Sequence, residues 1–318
     1  MSTRELITAS RMSAFLMCPR KHFYSYEMGL RKAEPSNALR FGSGFHAALE
    51  ARAKGATPEE AYHTAIDGKD FSEADAAIMY GLIGGYYKHY EGKADVIERM
   101  YPEVEFSLPI KGSRTFQAAG KIDGLGVLKD GRLTLVEHKT CSEDISAGAP
   151  YWERLRFNSQ LGQYILAARE GGWNVECVIY DVIRKPAIRQ KQNETPEQFG
   201  ERLLEDCASR PDFYFARCEV SILESHLHEF EIQREVICKM LLHCKAASRK
   251  AELPEYGWIR NVNAVSCRTC EYAPICLQNI HIDRDNLPGG FIITEPNPEL
   301  SGASNTTTTP GPISSEVK

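Results

Sequence analysis

The sequence predicts an α/β protein in which a mixed central sheet is flanked by helices and preceded by a mostly helical region. Three observations predict this class: residues 8–95 carry helix caps and helical patterns, residues 101–140 carry strand patterns, and residues 153–222 continue with further helix and strand patterns. A strand–strand–strand–helix–strand order is typical of a mixed sheet with a helix packed on it. The 318 residues suffice for one large domain or for a core with a helical annex.

Helix-start signals predict the elements of the N-terminal region. Thr8 or Ser10 can cap a first helix, because a side-chain oxygen at this position accepts a hydrogen bond from a first-turn amide. A second helix is expected to begin near Gly44. Thr57-Pro58 is a cap followed by proline, which predicts another helix, and residues 73–92 predict a further one. The sheet is therefore expected to follow a run of helices.

Residues 121–128 and 132–139 predict the two strands of a hairpin. A two-residue Asp-Gly turn would place Asp123 opposite His138. A three-residue loop with a left-handed glycine shifts the pairing by one residue and places Asp123 opposite Glu137. The hydrophobic pattern selects the second register, because a one-residue slip would turn the apolar set to the other face. We therefore expect one buried face that carries Asp123, Leu125, Val127, Leu133, Leu135, Glu137 and Lys139.

Patterns after the hairpin predict a helix, a strand, and two helices that flank a short strand. Residues 301–318 are rich in Thr, Ser, Pro and Gly, a composition that predicts a disordered tail. The predicted ranges are 153–170 for the first helix, 175–183 for the strand, 195–209 and 224–250 for the flanking helices, and 213–222 for the short strand.

Composition excludes several classes of protein. The hydrophobic content of 42% and the charged content of 25% are ordinary for a globular protein. No segment approaches the roughly 18 apolar residues of a membrane span, and residues 1–10 lack the apolar core of a secretion signal. We therefore expect a cytoplasmic protein with no membrane partner. Ten cysteines without a secretion signal argue against a disulfide framework and favour metal or cluster ligation.

The net charge of −5 does not by itself indicate a nucleic-acid-binding protein. Basic residues are nevertheless concentrated in residues 11–32 and 184–191, and such patches can follow a phosphate backbone even on an acidic protein. They can equally be solvated faces. The rings of Phe23, Tyr24 and Tyr26, next to the first patch, are candidates for base stacking.

Two carboxylates and a lysine at a strand end suit phosphodiester hydrolysis. Mg²⁺ and Mn²⁺ prefer oxygen ligands and can activate water, neutralise the phosphoryl centre and stabilise the leaving oxygen. Asp123, Glu137 and the main-chain carbonyl of His138 can supply such ligands, and Lys139 can orient or deprotonate the attacking water. The same pattern can be a surface ion-pair ladder. The apolar run that leads into it favours an active site.

These residues resemble the PD-(D/E)XK nuclease superfamily, in particular its RecB-like branch, which includes the AddB nuclease domain and the CRISPR-associated RecB-like exonucleases. Phe41-Gly42-Ser43-Gly44-Phe45-His46 resembles the branch's Gly-x-x-x-His motif, which implies that His46 is a metal ligand. Glu103 or Glu105 stands where a further acidic residue often precedes the core strand. Gln160-Leu161-Gly162-Gln163-Tyr164 resembles the Gln-x-x-x-Tyr motif, which implies that Gln160 and Tyr164 contact DNA or support the lysine.

The resemblance implies a restriction-endonuclease-like core within a single nuclease domain, residues 1–300. Its parts would be a helical part at 8–95, the catalytic core at 101–185, and a helical part with a cysteine cluster at 195–282. The sequence departs from the branch in three places: no proline precedes Asp123, Glu137 replaces the usual Asp, and Cys141 replaces a glycine.

Cys267-x-x-Cys270-x₅-Cys276 is one ligand short of a tetrahedral site. Cys18, His22 and His281 are candidates for the fourth ligand, and spacing alone slightly favours zinc. The resemblance favours a 4Fe-4S cluster instead, because Cys18-Pro19 resembles the N-terminal element whose cysteine joins three C-terminal ones in these relatives. The cluster would tie the two chain ends together. The remaining cysteines are expected to be small core residues: 141, 177, 207, 218, 238 and 244.

We therefore expect a Mg²⁺- or Mn²⁺-dependent DNA exonuclease, and the resemblance implies single-stranded or frayed ends as its substrate. One rival is a DNA-end-binding or processing subunit that works in a helicase or integrase complex with little activity of its own. The sequence has no Walker-type phosphate-binding motif, so a helicase, recombination or integration partner would be a separate chain. A second rival is a zinc-stapled nuclease that acts on RNA.

Overall fold

The computed structural model describes residues 4–91, 95–155, 157–297 and 300. Its centre is a six-stranded mixed sheet in which five strands lie in the order β1-β4-β5-β6-β7 and β3 pairs with β4. The strands are β1 (Glu5–Ile7), β3 (Ile97–Pro109), β4 (Phe116–Leu128), β5 (Leu133–Cys141), β6 (Cys177–Arg184) and β7 (Phe215–Ser221), while β2 (Leu30–Lys32) pairs separately with β8 (Phe291–Ile293). The predicted α/β class with a mixed sheet is confirmed.

The helices before the sheet follow their caps. Thr8 accepts a hydrogen bond from the Arg11 amide, and Thr57 forms a full capping box at the start of α4. The second predicted helix begins earlier than Gly44, because Ser36 caps it. The helices of this region are α1 (Ala9–Met17), α2 (Pro19–His22) with a π-helix at Phe23–Glu27, α3 (Asn37–Ala53), α4 (Pro58–Ile66) and α5 (Glu73–His89).

The helix predicted over 153–170 is two helices. Asn158 is the N-cap of the second one and accepts a hydrogen bond from the Gln160 amide, so a new helix starts there. The helices after β5 are α6 (Pro150–Leu155), α7 (Ser159–Glu170), α8 (Pro196–Ser209), α9 (Pro211–Tyr214), α10 (Glu224–Ser248), a 3₁₀ turn (Pro254–Gly257), α11 (Ala264–Arg268) and α12 (Ala273–Leu277). No helix among the described residues is long and apolar enough to cross a membrane. The tail predicted at 301–318 lies outside the described residues.

The β4–β5 hairpin has the register that the hydrophobic pattern predicts. Leu125 pairs with Leu135, and Gly124 pairs with Val136. Gly131 has φ 89°, a left-handed conformation that glycine adopts without steric cost. This glycine closes the three-residue loop and places Asp123 and Glu137 in the next paired positions.

Both faces of the sheet are covered by helices, as the predicted fold class requires. Along β6, Val178, Tyr180 and Val182 pack into a core with α1, α7 and α10, while Ile183 packs with α3, α5 and α8 on the opposite face. The parallel β5–β6 register pairs Glu137 with Tyr180 and His138 with Asp181. Because successive side chains alternate between faces, Glu137 lies on the α7 side and His138 on the α5 side.

An interruption along one edge of β4 opens the sheet at the site. One edge of β4 pairs with β3 from Gln117 to Leu128. The other edge pairs with β1 at Phe116–Ala118 and with β5 at Gly124–Val127. Asp123 lies just before the β5-paired segment on that second edge. The carboxylate therefore sits where neighbouring strands separate, and its surroundings are side chains rather than a continuous ladder.

Candidate active site

Asp123 is held at both carboxylate oxygens. The β4–β5 ladder ends at Gly124 and Val136, and beyond it the backbone N–H of His138 donates to Asp123 Oδ2 at 2.9 Å. His46, brought by α3, places its Nδ1 3.3 Å from Asp123 Oδ1. The carboxylate orientation is thus set by one backbone donor and one imidazole.

Glu137 and Lys139 form the second half of the site. Lys139 Nζ donates to Glu137 Oε1 and, at 3.0 Å, to Gln160 Oε1. The Gln160 Nε2 donates to the Tyr164 hydroxyl at 3.0 Å. Because Asn158 caps α7 at the Gln160 amide, the helix start presents Gln160 to the lysine. This contact chain orders the ammonium group between a carboxylate and an amide oxygen.

The charges of Asp123, Glu137 and His46 shift one another's pKa values. Burial, followed by the negative charge of Asp123, raises the pKa of Glu137 to about 7. Burial also acts to raise the pKa of Asp123, but hydrogen bonding to His46 and its positive charge outweigh it and lower that pKa. Burial opposes the charged imidazole of His46, yet the Asp123 carboxylate outweighs this and raises the His46 pKa. Two neighbouring carboxylates with pKa values shifted in opposite directions are typical of functional sites.

The donor chemistry of this cluster fits a hard divalent cation. Glu137 is fully buried, and its Oε2 has no hydrogen-bond partner among the described residues. An unpartnered buried carboxylate oxygen is costly unless a cation or water satisfies it. Asp123 and Glu137 supply oxygen ligands and His46 an imidazole. Within the described part of the chain, no group of three or more His, Cys, Asp or Glu side chains has the arrangement of a formed metal site.

The side chain of His138 does not join this cluster. Its Nδ1 lies 2.9 Å from Asp181 Oδ2 on the opposite face of the sheet, and the Tyr86 hydroxyl donates to the same oxygen at 2.5 Å. Arg217 Nε donates to Asp181 Oδ1 at 3.2 Å. Burial acts to raise the Asp181 pKa, but Arg217 and His138 hold it well below its usual range. Sequence reasoning missed Asp181, whose only signal was one acidic residue inside the apolar run of β6.

Glu103 and Glu105 are distinguished by backbone conformation. Glu103 has φ 59°, an uncommon left-handed conformation for a residue with a side chain, so the alternation expected of the two residues is broken. Its carboxylate pairs with Lys121. Glu105 lies directly opposite Lys121 in the β3–β4 register. Glu103 therefore pairs with a lysine that precedes Asp123 by two residues.

The first basic patch is partly structural. Arg11 is buried and ion-paired with Glu5 and Glu27, and Arg20 is buried and donates to the Trp258 carbonyl. The rings expected to stack on bases, Phe23, Tyr24 and Tyr26, are buried in the core as well. The second patch is different, since Lys185 is only half-buried. Its Nζ lies 4.4 Å from the centre of the Phe41 ring, and Phe41 directly precedes Gly42 of the histidine motif.

A groove of about 800 Å³ reaches Gln160 from the N-terminal helices. Its walls carry hydroxyl groups of Ser10, Ser13 and Ser159, the basic side chains of Lys21 and Arg31, and one acid, Glu271. The N-terminal ends of α1 and α7, which are the positive ends of their helix dipoles, also line it. The groove therefore offers hydrogen-bond donors and positive charge beside Lys139.

The four predicted cluster cysteines line one cavity, together with Arg20, Lys21 and Arg260: Cys18, Cys267, Cys270 and Cys276. The Asn261 N–H donates to the Cys18 sulfur at 3.4 Å, and the Tyr272 amide donates to the Cys270 thiol. Burial raises the pKa of Cys270 and Cys276, and the neighbouring cysteines add to the rise. The structure thus brings the four predicted cysteines to the wall of one cavity, with amide donors and basic side chains beside them.

The alternative histidine ligands do not line this cavity. His22 is buried between the Tyr26 and Trp258 rings and accepts from Arg11 Nε, and burial lowers its pKa to about 2. His281 Nδ1 pairs with Glu255. Of the other cysteines, 177, 207, 238 and 244 are buried as expected, while 141 and 218 are half-buried.

Comparison with known proteins assigns the family. The family model described as the PD-(D/E)XK nuclease superfamily matches residues 6–277. Two solved structures align along most of their length at 11% identity. The alignment with SSO0001 has a TM-score of 0.35 and covers 88% of this chain and 90% of that one. The alignment with a protein described as a "putative exonuclease" from Eubacterium rectale has a TM-score of 0.48 and covers 89% of this chain and 91% of that one. No curated protein matches the chain. Because the family match spans well over half of the sequence, this chain belongs to the PD-(D/E)XK nuclease superfamily.

Proposed function

We propose that this nuclease is a Mg²⁺- or Mn²⁺-dependent DNA exonuclease that acts on single-stranded or frayed ends. The single observation that carries the proposal is the Asp123–Glu137–Lys139 cluster where the β4–β5 pairing ends, with an unpartnered carboxylate oxygen at its centre. Chemistry of this kind needs two hard ligands and a nearby cation, and the cluster supplies both.

Asp123 and Glu137 would hold the metal ion, with His46 and the His138 carbonyl completing its shell. The bound ion would lower the pKa of a water ligand and neutralise charge on the scissile phosphate. The raised pKa of Glu137 then has a simple reason, because a buried carboxylate with a carboxylate neighbour is stable as an anion only beside a cation.

Lys139 would orient the attacking water or take up its proton. Glu137 and Gln160 hold the Lys139 ammonium group from two sides, and its side chain is 27% exposed, so it can reach a substrate phosphate. Gln160 in turn is oriented by Tyr164. In this proposal Gln160 and Tyr164 position the lysine, and the Gln160 end of the groove receives the DNA strand.

The groove lined by α1 and α7 is the proposed path of that strand. Serine hydroxyls, Lys21 and Arg31 line this space of about 800 Å³ and suit phosphate contacts. Met17 and Lys21 also line the cysteine cavity, so the proposed strand path and the cysteine site share a wall.

We further propose that the chain is of the RecB-like type and that Cys18, Cys267, Cys270 and Cys276 hold a 4Fe-4S cluster. Convergence of one N-terminal and three C-terminal cysteines on one cavity supports this. A group bound there would join the end of α1 to the C-terminal segment.

The nuclease proposal is tested with end-labelled DNA and purified full-length protein. The wild type should release labelled mononucleotides or short products in the presence of Mg²⁺ or Mn²⁺ and not after chelation. Asp123→Ala and Lys139→Ala should lose at least about 100-fold in rate. Asp130→Ala and Lys129→Ala, on the adjacent turn, are matched controls and should retain the wild-type rate. Equal activity of all five proteins would refute the site.

Metal analysis separates a cluster from zinc. The wild type, purified without oxygen, should contain about four irons per chain and show broad visible absorbance that disappears on reduction or in Cys270→Ser. Cys218→Ser, a half-buried cysteine outside the cavity, is the matched control. Stoichiometric zinc without iron would refute the cluster and leave the nuclease assignment intact.

A further inference from the structure

A buried ionic network lies on the face of the sheet opposite Glu137. Asp181 is at its centre, fully buried, and is contacted by Tyr86, His138 and Arg217. Arg217 also donates to the Tyr86 hydroxyl at 2.9 Å, so two of the three partners of Asp181 are themselves connected. A buried network of this kind disfavours other arrangements, because an unpaired member would be a buried charge.

The network reaches one oxygen of Asp123 through His138. Asp181 accepts a hydrogen bond from Nδ1 of His138, and this bond holds the His138 side chain in place. The backbone N–H of the same residue donates to Asp123 Oδ2 at 2.9 Å. A shift of the His138 side chain would therefore move the donor that orients Asp123.

The same network reaches the other oxygen of Asp123 through α3. Arg217 pairs with Asp95, and Arg52 of α3 donates to Asp95 at 3.2 Å. Arg52 also donates to the Tyr90 carbonyl at 3.0 Å. Because α3 carries His46, whose Nδ1 lies 3.3 Å from Asp123 Oδ1, the docking of this helix fixes the second contact of the carboxylate.

The hydrogen bond to Asp181 also determines which nitrogen of the His138 ring carries a hydrogen. An ionised carboxylate only accepts hydrogen bonds, so Nδ1 is the donor in this contact. Nε2 is buried without a hydrogen-bond partner in the described part of the chain. The ring lies 6.0 Å from the His46 ring, edge to face.

We propose that the Asp181 network is the positioning element of the metal site, and that it sets the orientation of the Asp123 carboxylate through His138 on one side and His46 on the other. This inference rests on the proposed function, because it assigns a role toward the metal ion that Asp123 would bind. None of Asp181, Tyr86 or Arg217 is a catalytic residue in it.

The test measures Mn²⁺ binding by calorimetry with full-length protein and no DNA. Asp181→Asn should weaken Mn²⁺ binding by about 10- to 100-fold, the usual effect of removing a partner that orients a metal ligand. Glu219→Gln, which removes an exposed carboxylate from the same strand as Arg217, is the matched control and should bind as the wild type does. Unchanged affinity in a folded Asp181→Asn protein would overturn the inference.

Two variants of His138 keep the test decisive if Asp181→Asn does not fold. His138→Asn keeps a donor near the position of Nδ1, and His138→Gln does not. His138→Asn should therefore bind Mn²⁺ at least about fivefold more tightly than His138→Gln. The reverse order would overturn the inference, because it would assign the effect to Nε2.

A spectroscopic readout separates positioning from a general loss of structure. In metal-free wild type, the nitrogen chemical shifts of His138 should report hydrogen on Nδ1, and in Asp181→Asn that preference should weaken. A separate titration of Asp123→Ala tests the underlying metal site. If Asp123→Ala binds Mn²⁺ like the wild type, the proposed function fails, whereas loss in Asp123→Ala with wild-type binding in Asp181→Asn refutes only the network's role.

Discussion

The hydrogen bonds that run from Tyr164 through Gln160 to Lys139 predict a graded and non-additive loss of activity. Lys139 donates to Gln160 Oε1 at 3.0 Å, and Gln160 Nε2 donates to the Tyr164 hydroxyl at 3.0 Å. Both distances are those of well-formed bonds. If these hydrogen bonds position Lys139, removing a side chain should reduce the rate less the farther that side chain lies from the ammonium group.

The chemistry of each bond sets its magnitude. Gln160→Ala removes a hydrogen bond to a charged group, worth about 1.5–3 kcal/mol, which corresponds to a rate loss of about 10- to 150-fold. Tyr164→Phe removes a bond between neutral groups, worth about 0.5–1.5 kcal/mol, or about 2- to 12-fold. Lys139→Ala removes the proton-transfer group itself and should lose about 10²- to 10⁴-fold.

The double variant is the critical measurement. The positioning role assigned to the Tyr164 hydroxyl works through Gln160, so Tyr164→Phe should add nothing to the rate loss once Gln160 is alanine. Single-turnover degradation of end-labelled single-stranded DNA at saturating Mg²⁺ measures these rates. Tyr87→Phe, whose hydroxyl donates to the Ala56 carbonyl between α3 and α4, is the matched control. Losses that multiply in the double variant, or a larger loss for Tyr164→Phe than for Gln160→Ala, would refute the positioning chain.

Three further predictions concern metal affinity, packing and pH. Because the pKa of Glu137 is raised to about 7, protons compete with metal below that value, and Mn²⁺ affinity measured by calorimetry should fall as the pH drops from 8 to 6; a flat profile would contradict this. A β-carbon at Gly44 would lie 2.9 Å from a main-chain oxygen of α4 but one at Gly42 would have ordinary contacts, so Gly44→Ala should lower the melting temperature and Gly42→Ala should not. His22 is neutral in the folded state, with its pKa lowered from 6.5 to about 2, whereas the unfolded chain binds a proton below 6.5. The stability due to neutral His22 is thus complete above pH 6.5 and is lost as the pH falls, so urea denaturation of wild type and His22→Gln should diverge by about 1.4 kcal/mol between pH 7.5 and 5.5.

Local sequence signals predicted the hairpin because several of them agree. Turn length, the left-handed Gly131 and the alternating apolar residues select the same register, so the alignment of Asp123 with Glu137 needed no tertiary information. The caps at Thr8 and Thr57 were equally local. Where a single weak signal had to decide, as at the start of α3, the position was wrong by several residues because Ser36 was overlooked.

Long-range pairing explains what sequence reasoning missed. In the sequence, Arg11 and Arg20 suggest a nucleic-acid-binding patch. In the structure, Arg11 forms ion pairs with Glu5 and Glu27, and Arg20 donates to the Trp258 carbonyl. The partners lie on other elements, and periodicity carries no information about them. The same reason hides Asp181, whose role depends on three residues that are distant in sequence.

The two buried ionic clusters differ in charge balance, and this difference separates the site from its support. On the α5 side, Asp95 and Asp181 are matched by Arg52 and Arg217, so the cluster is neutral and needs no further ion. On the α7 side, the Asp123 and Glu137 carboxylates face one lysine and an imidazole whose charge depends on pH. Two anions against one permanent cation leave surplus negative charge in a partly dry environment, where it is most costly. A divalent cation is thus expected on the α7 side and not on the α5 side, because only the first cluster gains from one.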